Sequence, residues 1–261
     1  MTGVTATRGA PATRDTARTK SEFTRLLVQP AVVALLTVGV LVWAFDRDLT
    51  ATQKASLNAN TIATVTREHI LITAAVVLIV VAIGVPLGTA LTRPGFRRLA
   101  PLFVGIANVG AAAPAIGLIV LFYLLTRTTG FWIGVAPIAF YALLPVLRNT
   151  ILGYQQVDPV LVDAGRGQGM SPATVLRRIE FPLAVPYILA GLRTALVLAV
   201  GTATLSFLVS AGGLGILIDT GYKLRDNVTL VVGAVLAVAL ALLVDWFGAL
   251  AEAFLGPRGL R

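Results

Sequence analysis

Apolar residues in this chain fall in long unbroken blocks rather than in alternation. The blocks are 26–45, 70–92, 99–126, 128–147, 183–209 and 227–244, the last able to run on past Asp245 to Leu250. The first four carry no charged residue, and the fifth is interrupted only by Arg193. At ~1.5 Å per residue, a helix of ~20 residues crosses the ~30 Å hydrocarbon core of a bilayer. An open backbone cannot sit in lipid, and a membrane β-barrel would show ~10-residue alternating segments instead. The pattern therefore predicts an all-α polytopic membrane protein with six transmembrane helices.

Composition agrees. Hydrophobic residues make up 57% of the chain and charged residues 13%, with a mean hydropathy of +0.87. Soluble domains are ~25% charged. A chain with half that cannot clothe a folded surface, which excludes a soluble enzyme and a disordered protein. Its net charge is +9, but no basic run is interleaved with aromatics as a nucleic-acid surface requires. Basic loops held on one side of a membrane account for the charge. With the N-terminus inside, 14 of the 21 Lys and Arg residues fall in segments 1–25, 93–98, 148–182 and 250–261, and 6 fall outside. The positive-inside rule then predicts both termini in the cytoplasm.

Residues 1–25 read as a polar, disordered cytoplasmic tail, with no short apolar core and cleavage site to make a signal peptide. Residues 46–65 read as an extracytoplasmic linker and 250–261 as a cytoplasmic tail. There is no cysteine and His69 is the one histidine. Thiolate chemistry and a His-rich metal cluster are thereby excluded.

The connection 148–182 is the longest inside the membrane domain, and long ordered loops usually carry function. Asp158-Pro159 is a helix start, because Asp accepts from free N–H groups and Pro suits the first turn. A short helix follows over 160–167. Gly165, Gly167 and Gly169 weaken and then end it. Ser171-Pro172 starts a second helix over 173–179, with Arg177 and Arg178 near its C-terminal end. Phe181-Pro182 is expected to break that helix before the next span. The prediction is a compact helix–turn–helix knob at the cytoplasmic surface, able to dock into a groove on another protein.

Within this loop, Asp163-Ala164-Gly165, three residues, Gly169, nine residues, then Ile179-Glu180-Phe181-Pro182 resembles one motif of importer permeases in ATP-binding-cassette transporters. That motif is Glu-Ala-Ala, Gly, then Ile-any-Leu-Pro at the same spacing. Asp163, Gly165 and Phe181 depart from it in kind but not in position. Further stretches resemble the osmoprotectant subgroup, which carries glycine betaine, choline, carnitine and proline-type solutes. They are Leu144–Thr150, Val157–Pro159, Ala190–Ala195, Gly201–Leu205 and Ala211–Gly215. The likeness covers about residues 66–249 and leaves out the first span.

The resemblance implies a five-helix type I importer core with an extra N-terminal helix at 26–45, in a bacterial cytoplasmic membrane. It implies a non-catalytic subunit with a coupling loop at 149–182. ATP and Mg would bind a separate ATP-binding cassette subunit, and this chain would hold no cofactor. A second permease chain, identical or paralogous, and an extracytoplasmic solute-binding protein complete the assembly. The coupling residues it implies are Asp163, Ala164, Gly165, Gly169, Ile179 and Pro182. Whether Gly165 and Gly167 touch the partner or only fold the loop stays open.

Other positions have two readings each. Gly84 and Gly88 with Pro86 between them give close helix packing with a kink that permits rocking, or ordinary packing. Asn108 and Pro114 in the third span line a path or serve a neighbouring helix. Tyr141, with Phe122, Tyr123 and Trp132, faces a cation or forms an interfacial belt. Arg193 is an intramembrane charge that snorkels, serves structure, or meets a subunit or pathway. His69 reads as an interfacial residue, and Asp245 as an anchor. The competing functions are an ion-coupled secondary carrier for a small amine and an intramembrane enzyme. A carrier needs buried acids and related halves. An enzyme needs a catalytic constellation. Neither requires the 158–182 loop.

Overall fold

The computed structural model describes the backbone of residues 12–255, with side chains described for 28–254. Residues 1–11 and 256–261 of the two expected tails lie outside the described residues. All regular structure among the described residues is helical.

Helix α1 (Ala12–Phe45) begins inside the segment expected to be a disordered tail. The expected linker 46–65 is also largely helical. It holds α2 (Ala51–Ser56), opened by a capping box between Thr50 and Gln53. It also holds the start of α3 (Ala59–Leu91), which Asn58 caps by accepting from Thr61 N. Sequence hydropathy misses this because capping and propensity, not apolarity, start both helices.

The block 99–126 is not one straight helix. It forms α4 (Ala100–Ala112) and α5 (Ala115–Thr126), bent by 104° at Ala113-Pro114. Pro114 has no N–H to continue the ladder, and it drives Ala113 to an extended ψ of 141°. At 13 and 12 residues, each arm is ~18–20 Å long, short of a bilayer core. Among the described residues, five helices are long and apolar enough to cross, or six if the bent pair counts as one.

The remaining elements are α6 (Phe131–Gln155), α7 (Pro159–Gly167), α8 (Pro172–Val175), a π-turn at Leu176–Glu180, α9 (Phe181–Ala203), α10 (Gly215–Lys223) and α11 (Asn227–Leu255). Residues 250–255 of the expected tail thus form the C-terminal end of α11. Helices α3, α6 and α9 form the centre around Ile72, Val76, Ile138, Ala142, Ala195 and Ala199. In lipid, helices associate through close packing of small residues. A Cβ on Gly84 would lie 3.0 Å from Val146 Cγ1, and one on Gly191 would lie 2.7 Å from the Pro145 carbonyl. Gly84 therefore lies in close contact with α6. A second cluster, with Val40, Leu214, Leu217, Val232 and Leu236, joins α1 to α10 and α11.

Candidate functional site

The 158–182 segment folds as a knob. Asp158 Oδ1 accepts from Val160 N at 2.9 Å to start α7, with Pro159 in its first turn. Gly169, at φ +80°, turns the chain in the left-handed region that favours glycine. Ser171 Oγ accepts from Thr174 N to start α8. Helix, glycine turn and helix thus match the sequence reading.

Its end differs. Pro182 does not break the chain, and one continuous helical run extends over Pro172–Ala203. Proline in a helix removes an N–H and clashes with the carbonyl four residues back. The wider π-turn at Leu176–Glu180 sits where that clash with Arg178 would fall, so the helix continues into α9.

Within the knob, Gly165 is buried and a Cβ there would meet Ile179 Cδ1 at 2.6 Å. Gly165 and Ile179 therefore hold α7 against the π-turn. Asp163, Ala164, Gly167 and Gly169 are exposed. Asp163 lies 3.8 Å from Arg166, a loose surface pair worth little. The exposed face of α7 is apolar at its start, with Val160 69% and Leu161 46% exposed.

Sequence reasoning passed over Glu180 and Arg93. Glu180 is buried in the π-turn and its carboxylate meets Arg93 Nη2 at 2.5 Å. The Arg93 guanidinium lies 5.2 Å from the Tyr154 ring centroid. Thr89 Oγ1 donates to Tyr154 Oη at 3.2 Å. The signal was an acid inside the motif and an arginine in the short 93–98 turn.

The remaining candidates do not converge on one site. Asn108 is half-buried on α4, Pro114 makes the bend, and Tyr141 is half-buried on α6. Arg193 is engaged within the chain. Its Nε and Nη2 donate to the two carboxylate oxygens of Asp245 at 2.6 and 2.9 Å, and Nη1 donates to Glu252 at 3.1 Å. Gln29 Nε2 of α1 donates to the same Asp245 and to the Leu242 carbonyl. Asp245 is an anchor, as expected.

At the opposite end, His69, expected at the interface, is fully buried among the helices. Its Nδ1 accepts from Leu214 N at 3.2 Å, which leaves Nε2 to donate to the Val200 carbonyl at 2.9 Å. Glu68 accepts from Gly213 N at 3.0 Å, and Ser206 Oγ donates to the Gly212 carbonyl. These side chains clamp the glycine-rich 211–215 turn. Hydropathy could not show this, because the partners are 145 residues apart.

Comparison with known proteins gives this geometry a family. Residues 81–255 match the family described as binding-protein-dependent transport system inner membrane component. The choline transport system permease protein OpuBB of Bacillus subtilis is 37% identical over 75% of this chain and 89% of its own length. The osmoprotectant import permease protein OsmW of Salmonella typhimurium is 36% identical over 78% of this chain and 96% of its own. Among solved structures, a chain of the MetNI methionine ABC transporter in an inward-facing conformation superposes with a TM-score of 0.67. It covers 77% of this chain and 100% of its own, at 22% identity, and so speaks to the fold. The knob and its π-turn lie wholly inside the matched segment, and this chain belongs to the family of binding-protein-dependent transport system inner membrane components, a multi-pass membrane permease.

Proposed function

We propose that this chain is the transmembrane permease subunit of an ATP-driven importer for osmoprotectants of the glycine betaine, choline, carnitine or proline type. The observation that carries this is the 158–182 knob, standing out from the spans with its α7 face uncovered. The names of the related permeases support the solute class.

In this reading the knob sits at the cytoplasmic surface and docks in a groove of a separate ATP-binding cassette subunit, which holds ATP and Mg. Asp163 and Ala164 present the contact, Gly169 makes the turn, and Gly165 and Ile179 hold the two helices together. Pro182 starts the span that receives the motion. A rigid knob in a groove passes rigid-body movement to the helices behind it. Two permease chains, identical or paralogous, form the path between them. An extracytoplasmic binding protein delivers the solute.

The test is purification from the native membrane in mild detergent, with stoichiometric partners identified by mass spectrometry. An ATP-binding subunit and a second permease copy or paralogue are expected. A chain that arrives alone, while a control importer keeps its ATPase, would sink the reading.

A further inference from the structure

The knob connects to the membrane helices at two points. One is the short turn from α6 into α7. The other is the π-turn that runs into α9. π-Helical turns are rare and often mark functional places in a helix. This one carries an acid where the motif requires no particular residue. Glu180 is 8% exposed and ion-paired with Arg93, which lies just beyond the end of α3. Arg93 packs over Tyr154 in the last turn of α6, and Tyr154 in turn bonds Thr89 of α3. One buried carboxylate therefore ties the knob's exit to α3 and α6 as well as to its own helix α9.

A buried ion pair is a poor way to gain stability, because well-packed apolar residues of the same volume often do as well. What it adds is a penalty for separation. Pulling the two charges apart would leave the buried Glu180 carboxylate without its partner, whereas apolar side chains can slide. We propose that the Arg93–Glu180 pair is the rigid joint that makes the knob and the ends of α3, α6 and α9 move as one body. Arg93 and Glu180 act as positioning residues, through the helices they hold together. This rests on the importer reading above and names the part of the chain that transmits its motion.

The chain has no cysteine, so two introduced thiols can carry spin labels without background. Gln168→Cys at the exposed turn of the knob and Leu78→Cys on the exposed face of α3 report the knob-to-span distance. The labelled chain is purified with its ATPase subunit and measured without nucleotide and with ATP and vanadate. In the parent, one narrow distance peak is expected in both states. In Glu180→Gln the peak is expected to broaden, and to shift when ATP and vanadate are added, with the ATPase subunit still bound. The swapped pair Arg93→Glu/Glu180→Arg is expected to restore the narrow peak.

A Glu180→Gln distribution equal to the parent's in both states would overturn the joint. So would a parent whose knob-to-span distance itself changes with nucleotide. If Glu180→Gln fails to assemble, the swapped pair decides: recovery of assembly and of the narrow peak supports the joint, and no recovery overturns it. A parent that arrives without any ATPase removes the importer reading and the joint's role with it, a result distinct from failure of the variants alone.

Discussion

Asp226 lies between α10 and α11, outside the spans, where partial burial by itself raises a carboxyl pKa. Here that effect is outweighed by bonds to the ionised form from Thr229 Oγ1, Gln53 Nε2 and the backbone N–H groups of Val228 and Thr229, so the pKa falls below its ordinary value. A depressed folded-state pKa gives stability that is complete above the unfolded value of ~3.9 and is lost as pH falls through the folded value. Asp226→Asn should therefore lower the thermal midpoint of the detergent-purified chain at neutral pH. The gap to the parent should close as pH falls through the depressed folded-state pKa of Asp226. Melting curves across that range check this, and an equal gap at both ends would refute it.

At the scale of elements, the π-turn sets how the knob is rotated relative to α9. A π-turn takes up one extra residue within a single turn, which here spares Pro182 its clash with the carbonyl four residues back. Arg178 is exposed within the π-turn, so deleting it should return the turn to ordinary helix spacing. The buried contacts of α9 would stay, Pro182 would clash, and the helix would kink between the knob and α9. The expected outcome is a chain that extracts folded, with unchanged helical circular dichroism, but no longer retains its ATPase subunit. Retention at parental stoichiometry would show that the knob's orientation on α9 does not matter for docking. The bend between α4 and α5 belongs to the same scale. A single Pro114, preceded by a residue it forces to extend, converts an apolar run into two short arms.

Across the whole molecule, one charge cluster joins the first helix to the last. Arg193 of α9 is held by Asp245 and Glu252 of α11, and Gln29 of α1 holds Asp245 from the other side. Removing one member of a fully buried pair costs ~3–5 kcal/mol. The Arg193 side chain is 35% exposed, so solvent screening discounts the loss to about 1–3 kcal/mol. Arg193→Met should destabilise the chain by that amount in detergent unfolding, and removing both acids alongside it should recover part of the loss. A double-mutant cycle measures this. No coupling between positions 193 and 245 would show that the cluster is incidental.

What the sequence determined by itself was local. Apolar block length dictated helices that cross a bilayer, because lipid leaves no other way to satisfy the backbone. Asp158-Pro159, Gly169 and Ser171-Pro172 dictated the knob, because caps and left-handed turns depend on neighbouring residues. Tertiary structure decided everything that required distant residues to meet. Glu180 and Arg93 read separately as a motif filler and a loop charge, and only the packing of α3 beside α9 makes them a buried pair. His69 read as interfacial because its bond partners, Val200 and Leu214, lie far along the chain. Pro182 read as a break, since the clash it relieves depends on the hydrogen-bond spacing of the turn before it. The fold class was written in runs of residue type, and the joints between elements were written in pairs that only the folded chain brings within hydrogen-bonding distance.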